Sequence, residues 1–164
     1  MSDPANADGR VQPETVLDGE VAVRAAVGTN LGVTGWFEIT AQRIADFAAA
    51  TGDHEAAFLA ISLSNKFLPE IVEVRGFAMG INYGTGSVRL GTPLRAGDRV
   101  RGRATLVDVA DVNAGIQTTM LITVQAEAEA GSARLEHEPC VIESLSRWMN
   151  PPAPDVRADA GGTR

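Results

Sequence analysis

Cysteine and histidine are scarce in this chain of 164 residues, which contains one cysteine and two histidines. A single cysteine, Cys140, excludes an internal disulfide and is typical of a reducing compartment, so we expect a cytoplasmic location. His54 and His137 are far apart in sequence and have no cysteines near them, which does not fit a metal site. We therefore expect no bound metal.

Basic residues are outnumbered, with 14 Lys and Arg against 21 Asp and Glu and a net charge of -7. This balance argues against a surface for nucleic acid or anionic membrane, because phosphate binding needs clustered cations. No apolar run reaches transmembrane length, and residues 1–20 lack the apolar stretch of a signal peptide. The composition fits one globular domain, which we place at 14–149, with disordered polar segments at 1–13 and 150–164.

Two helices are predicted in succession after residue 40. The apolar residues of 41–50 recur at the spacing of one helical face, behind a good N-cap in Thr40. Asp53 can cap a second helix that runs to about Leu68, before Pro69, and is apolar on nearly all sides. Such a helix is expected to be buried. A weaker amphipathic segment, Glu14 to Val27, predicts a short helix near the start.

The rest of the chain has the patterns of β-strands. Two long segments alternate between apolar and polar residues around a turn at 113–115, and a further segment is interrupted by glycines that indicate bends or bulges. One buried helix followed by antiparallel strands predicts an α+β fold with the sheet wrapped around that helix. The predicted strands are 36–39, 74–90, 99–109, 116–128 and 138–149.

Several runs resemble one known family in order and spacing. Residues 37–40 (FEIT), 43–48 (RIADFA) and 50–53 (ATGD) are similar to the opening of MaoC-like dehydratases, the (R)-specific enoyl-CoA hydratases with a hot-dog fold. Similarity continues through later runs and covers about residues 15–149. The later runs are 81–84 (INYG), 88–90 (VRL), 93–100 (PLRAGDRV) and 140–144 (CVIES).

The resemblance implies hydration of trans-2-enoyl-CoA, or dehydration of (R)-3-hydroxyacyl thioesters, without a cofactor. The family uses an aspartate and a histidine five residues apart to move protons, and backbone N–H groups at the start of the central helix to hold the enolate oxygen. It also implies that Asn82 and Gly84 line the acyl tunnel. The expected assembly is a homodimer that joins two sheets, or a heterodimer with a homologue that carries both catalytic residues.

This chain departs from the family pattern after Asp53. Phe58 stands five residues on, where the histidine is expected, and a segment of roughly twenty residues, the length of a functional loop, is missing between His54 and Phe58. The catalytic histidine, the loop over the substrate and the start of the central helix go with it. Asp53 is then equally a catalytic residue and a helix cap, whereas His54 is a weak substitute because adjacent side chains point apart.

Three functions remain open on this sequence. The chain is a hydratase impaired by the lost histidine, an inactive acyl-thioester binder or partner subunit, or an acyl-CoA thioesterase in which Asp53 activates water. A further stretch, 75–103, holds six arginines and one acid, Asp98. It could attract the phosphates of coenzyme A, but a solvated strand face is the favoured interpretation.

Overall fold

The computed structural model describes residues 12–128 and 137–152. The predicted disordered segments lie outside these ranges, apart from residues 12–13 and 150–152. Three helices and eight strands are found in the described part of the chain, in the order β1 (Thr15–Asp18), α1 (Gly19–Ala25), β2 (Asn30–Val33), β3 (Phe37–Glu38), α2 (Ala41–Thr51), α3 (Leu59–Ile71), β4 (Val72–Arg75), β5 (Met79–Leu90), β6 (Arg99–Val112), β7 (Gly115–Glu127) and β8 (His137–Met149).

The main sheet is antiparallel and has six strands. Its order is β2-β6-β7-β8-β5, and the short β3 also pairs with β6. The strands predicted at 99–109, 116–128 and 138–149, now β6, β7 and β8, are adjacent in this sheet. A separate parallel pair is formed by β1 and β4. The predicted α+β architecture is therefore confirmed.

Helix α3 lies against the inner face of this sheet. It packs on β6, β7 and β8, and its side chains Leu59, Leu63, Phe67 and Ile71 are buried. Gly102 on β6 is needed for this contact, because a β-carbon there would lie 2.4 Å from the Phe67 ring. The prediction of a buried apolar helix surrounded by strands is correct.

The bounds of α3 differ from the prediction at both ends. The helix begins at Leu59 instead of Asp53, and it continues past Pro69 to Ile71. A connector of residues 52–58 separates it from α2, so the N-cap signal at Asp53 does not start the helix directly. Pro69 is tolerated near the helix end, but it has no N–H to donate to the carbonyl of Asn65, four residues earlier.

The first predicted helix was too long, because 15–18 form β1 and only Gly19–Ala25 is helical. Thr15–Asp18 finds a parallel partner in Val72–Arg75, a long-range pairing that local periodicity cannot reveal. The predicted strand 74–90 is divided between β4 and β5 at Gly76, whose φ of 82° turns the chain. The expected bulges are present in β5, between Asn82 and Gly84 and between Thr85 and Val88.

Candidate active site

The connector between α2 and α3 places Asp53 at the start of α3. Helix α2 ends at Gly52, whose φ of 77° is the left-handed conformation of a C-cap. The Asp53 Oδ2 atom then accepts a hydrogen bond of 2.8 Å from the backbone N–H of Phe58. The Asp53 N–H donates to the Thr51 hydroxyl over 3.2 Å. The carboxylate is thereby fixed in front of the first turn of α3.

This contact is a capping interaction. The first N–H groups of a helix have no partner within it, and a carboxylate there is stabilised by the hydrogen bond and by the helix dipole. The prediction that Asp53 caps α3 is right in chemistry and wrong in position, since Phe58 occupies the N-cap site. The same amide lies at the helix start where the family resemblance implies an oxyanion site.

Phe58 stands five residues after Asp53, where the family resemblance implies a histidine. The side chain of Phe58 is 56% exposed. His54 is exposed, and within the described residues no hydrogen bond joins its ring to the Asp53 carboxylate. His137 lies half-buried at the start of β8, opposite Ala126.

The connector also contains an unusual backbone conformation. Ala56 has a φ of 54° and is buried. A residue with a β-carbon is disfavoured in this region by about 1 kcal/mol or more. Such conformations persist only where the surrounding structure holds them, and here α2 and α3 fix the two ends of a seven-residue connection.

Asn82 and Gly84 lie on β5, on opposite faces of the sheet. Asn82 is paired with Ser146, which is buried on the inner face, whereas Gly84 is paired with the half-exposed Leu145. The Asn82 Nδ2 atom donates to Asn65 Oδ1 on α3 over 3.3 Å. The structure therefore joins Asn82 to the middle of α3 and does not place Gly84 beside it.

Glu143 has a hydrogen-bonded carboxylate on β8 that the sequence analysis did not single out. Its Oε2 atom accepts from the backbone N–H of Ser87 over 2.8 Å, and a β-carbon on Gly86 would lie 2.5 Å from that oxygen. The hydrogen bonds from Ser87 lower the pKa of Glu143. The carboxylate thus accepts a hydrogen bond from an amide that the second bulge of β5 leaves without a strand partner. In the sequence, the only signal for this bulge was a glycine followed by a serine within a predicted strand.

The arginines of the 75–103 stretch have local partners on the strand surface. Arg99 Nη1 lies 2.5 Å from Glu127 Oε1, and Arg101 Nε donates to Gln125 Oε1 over 2.9 Å. Both guanidinium groups also stack on the Trp36 ring, at 5.8 and 4.4 Å from its centroid. These contacts favour the interpretation as a solvated strand face.

Within the 12–128 and 137–152 ranges, no set of three or more His, Cys, Asp or Glu side chains is grouped so as to hold a metal ion. In the same ranges, none of the helices combines the length and apolarity needed to cross a bilayer. Cys140 is buried, and that burial raises the pKa of its thiol.

The chain is similar to 3-hydroxyacyl-thioester dehydratase Z of Mycobacterium tuberculosis. The two are 32% identical over 156 aligned positions, which cover 83% of this chain and 97% of the relative. Because 83% of 164 residues is about 136, about 20 aligned positions have no residue in this chain. No family model matches the chain.

Two solved structures share its architecture. R-hydratase PhaJ1 from Pseudomonas aeruginosa has a TM-score of 0.55 at 17% identity, over 76% of this chain and 83% of that one. The MaoC-like dehydratase from Rhodospirillum rubrum has a TM-score of 0.50 at 14% identity, over 77% and 94% of the two chains. At such identities the likeness shows the fold, and it confirms the hot-dog prediction.

Proposed function

The chain belongs to the MaoC-like dehydratase family, and from that premise we propose that its ligands are trans-2-enoyl and (R)-3-hydroxyacyl thioesters such as acyl-CoA. The identity to a 3-hydroxyacyl-thioester dehydratase, which extends over 97% of that relative, supports this substrate class. The family reaction adds water across the double bond, with the hydroxyl going to C3 and a proton to C2. Its reverse removes water from the 3-hydroxyacyl form.

We further propose that this chain performs the reaction slowly. Hydration needs one group to take a proton from the attacking water and another to deliver a proton to C2. Asp53 can do one of these tasks, but Phe58 stands where the partner histidine is expected. The Asp53 carboxylate also accepts from the Phe58 N–H, so a substrate oxygen has to compete with it for that amide. This single contact carries the proposal.

Crotonyl-CoA provides the test. Calorimetry should detect binding of crotonyl-CoA. Hydration, measured as the loss of enoyl-thioester absorbance, should be at least about a hundredfold slower than in the M. tuberculosis relative, since acid–base catalysis supplies factors of that size. An equal rate would contradict the impairment while supporting the substrate class. Release of free thiol instead of hydration would identify a thioesterase, and absence of binding would contradict the proposal altogether.

The edge strand β5 supports a homodimer. It has 12 residues, it ends the main sheet, and it exposes Met79, Ile81 and Tyr83. Long edge strands with exposed apolar side chains tend to pair with another chain, and closed twofold dimers are the commonest assembly. We propose that two copies pair through β5, with a heterodimer containing a complete homologue as the alternative. Sedimentation of the purified chain at the monomer mass of 17.2 kDa would contradict a homodimer.

A cytoplasmic location is also proposed. The only cysteine, Cys140, is buried on β8, which fits a protein that does not depend on disulfides and resides in a reducing compartment. Cell fractionation with an antibody against the chain would test this location, and recovery outside the cytoplasm would contradict it.

A further inference from the structure

Helix α3 leaves the inner face of β5 uncovered. The inner face is identified by β8, where Ile142, Ser144 and Ser146 are buried and alternate with less buried neighbours. Their partners on β5 are exposed, and Val88, for example, is 41% exposed although it lies opposite Ile142. The inner face of β5 therefore forms an open strip beside α3, which we call the groove.

One half of this groove is lined by neutral polar groups. Asn82 and Thr85 of β5 lie opposite Ser146 and Ser144, which keep 8% and 9% of their surface exposed. Beside them, the Thr118 hydroxyl accepts from Trp148 Nε1 over 3.0 Å. The other half, at Val88 and Leu90, is apolar.

Asn65 connects the polar half of the groove to α3. Its side-chain Oδ1 accepts from Asn82 Nδ2, and both residues are exposed. Its backbone carbonyl faces Pro69 at the position of the usual helical donor, and proline has no N–H. The nearby cation, Lys66, is paired with Glu70 and lies 5.0 Å from the centroid of the Phe37 ring. The groove thus offers neutral donors and acceptors in place of a charge.

We propose that this groove selects acyl thioesters whose acyl chain carries a neutral oxygen, a hydroxyl or a ketone, several carbons from the thioester. This inference rests on the proposed function, in which the thioester lies at the start of α3. Asn65 is six residues beyond Leu59, which is about 9 Å along the helix, so the polar groups meet the acyl chain several carbons beyond the thioester.

The physical reason is the cost of covering polar groups without replacing their hydrogen bonds. An alkyl chain in the polar half would displace water from the Asn65–Asn82 pair and from Thr85 and return no hydrogen bond. A hydroxyl on the chain can donate to Asn65 and accept from Asn82, and a ketone oxygen can accept from Asn82. One such net hydrogen bond corresponds to about a tenfold difference in affinity.

Calorimetry with the purified full chain tests this selectivity independently of turnover. The probes are trans-2-octenoyl-CoA and its 8-hydroxy analogue, and we expect the hydroxylated thioester to bind about tenfold more tightly. Asn82→Leu should remove this preference. The matched control is Thr123→Val, which deletes a hydroxyl on the outer face of β7 and should keep the preference.

The outcomes separate the two proposals. Equal binding of the two thioesters, or tighter binding of the alkyl form, overturns the selectivity and leaves the proposed function standing. A preference that survives in Asn82→Leu places the discrimination elsewhere and likewise overturns it. Binding of neither thioester contradicts the proposed function, and this inference falls with it.

Discussion

The Asp53 carboxylate accepts a hydrogen bond from the backbone N–H of Phe58, five residues later. Under the proposed function, the first of these residues is one member of a catalytic pair, and the second stands where the family resemblance implies a histidine. In the structure, this carboxylate stabilises the start of α3. Under the proposed function, proton transfer by the same carboxylate competes with the capping of a backbone amide.

The capping role predicts how Asp53 variants differ in stability. Asp53→Ala should lower the free energy of unfolding by about 1 kcal/mol, because it removes the acceptor for the Phe58 amide. Asp53→Asn should stay close to the original chain, since its amide oxygen can accept the same hydrogen bond. Thermal unfolding followed by circular dichroism would show a loss of about 2–4 °C for alanine. Equal losses in both variants would contradict the capping role.

The family pattern suggests a direct attempt to restore activity. Phe58→His returns an imidazole to the fifth position after Asp53, but we expect it to raise crotonyl-CoA hydration less than about tenfold, against the 10²–10⁴ typical of a positioned acid or base. The reason is that this side chain is mostly exposed and that Asp53 remains bonded to the amide. Phe58→Ala is the control for the loss of the ring. A hundredfold gain specific to histidine would show that position alone was limiting.

Local signals account for the parts of the fold that were predicted well. Helix α2 has its N-cap in Thr40, which accepts from Arg43 N–H over 3.2 Å, and its glycine C-cap within the segment itself. Strands β6 and β7 show their alternation and their connecting turn in consecutive residues. Such features need no knowledge of distant parts of the chain.

The features that were missed depend on distant partners. Residues 15–18 become β1 only because Val72–Arg75 lies beside them, and α3 starts late because residues 52–58 form the connector from α2. In the site, the resemblance identified Asn82, but its contact with Asn65 is tertiary. The bond between Glu143 and Ser87 joins residues 56 apart in sequence.

Glu143 predicts a pH dependence of stability. Its folded pKa lies below the ordinary value of 4.5 because the Ser87 hydrogen bonds favour the carboxylate. The stabilisation is therefore fully present above the unfolded pKa and is lost as the pH falls through the folded pKa. Glu143→Gln keeps an acceptor oxygen and removes the charge, so it should melt lower than the original chain at pH 7. The difference in melting temperature should shrink as the pH falls below the unfolded pKa and vanish below the folded pKa of Glu143. A constant difference at all pH values would contradict this role.

The turn between β6 and β7 offers a stabilising substitution. Ala114 has a φ of 61° and is exposed, a conformation that disfavours a β-carbon by about 1–2 kcal/mol. Ala114→Gly should stabilise the chain by about 0.5–1 kcal/mol, because the added freedom of glycine in the unfolded state offsets part of the gain. Ala45→Gly, an exposed position within α2, is the matched control and should destabilise by about 1 kcal/mol. Denaturant unfolding would show opposite shifts in midpoint, and a loss of stability in both variants would contradict the strain at Ala114.

The close packing between α3 and the sheet predicts that a larger residue at Gly102 destabilises the chain. A β-carbon at this position would lie 2.4 Å from the buried Phe67 ring, and that ring also contacts the Phe37 ring at a centroid distance of 5.7 Å. Gly102→Ala should therefore cost about 1–3 kcal/mol, as is usual for overpacked cores. Phe67→Leu, which removes ring atoms, should recover part of that loss in the double variant, so the two effects should not add. Additive losses in chemical denaturation would mean that α3 and β6 are less closely packed than the structure shows.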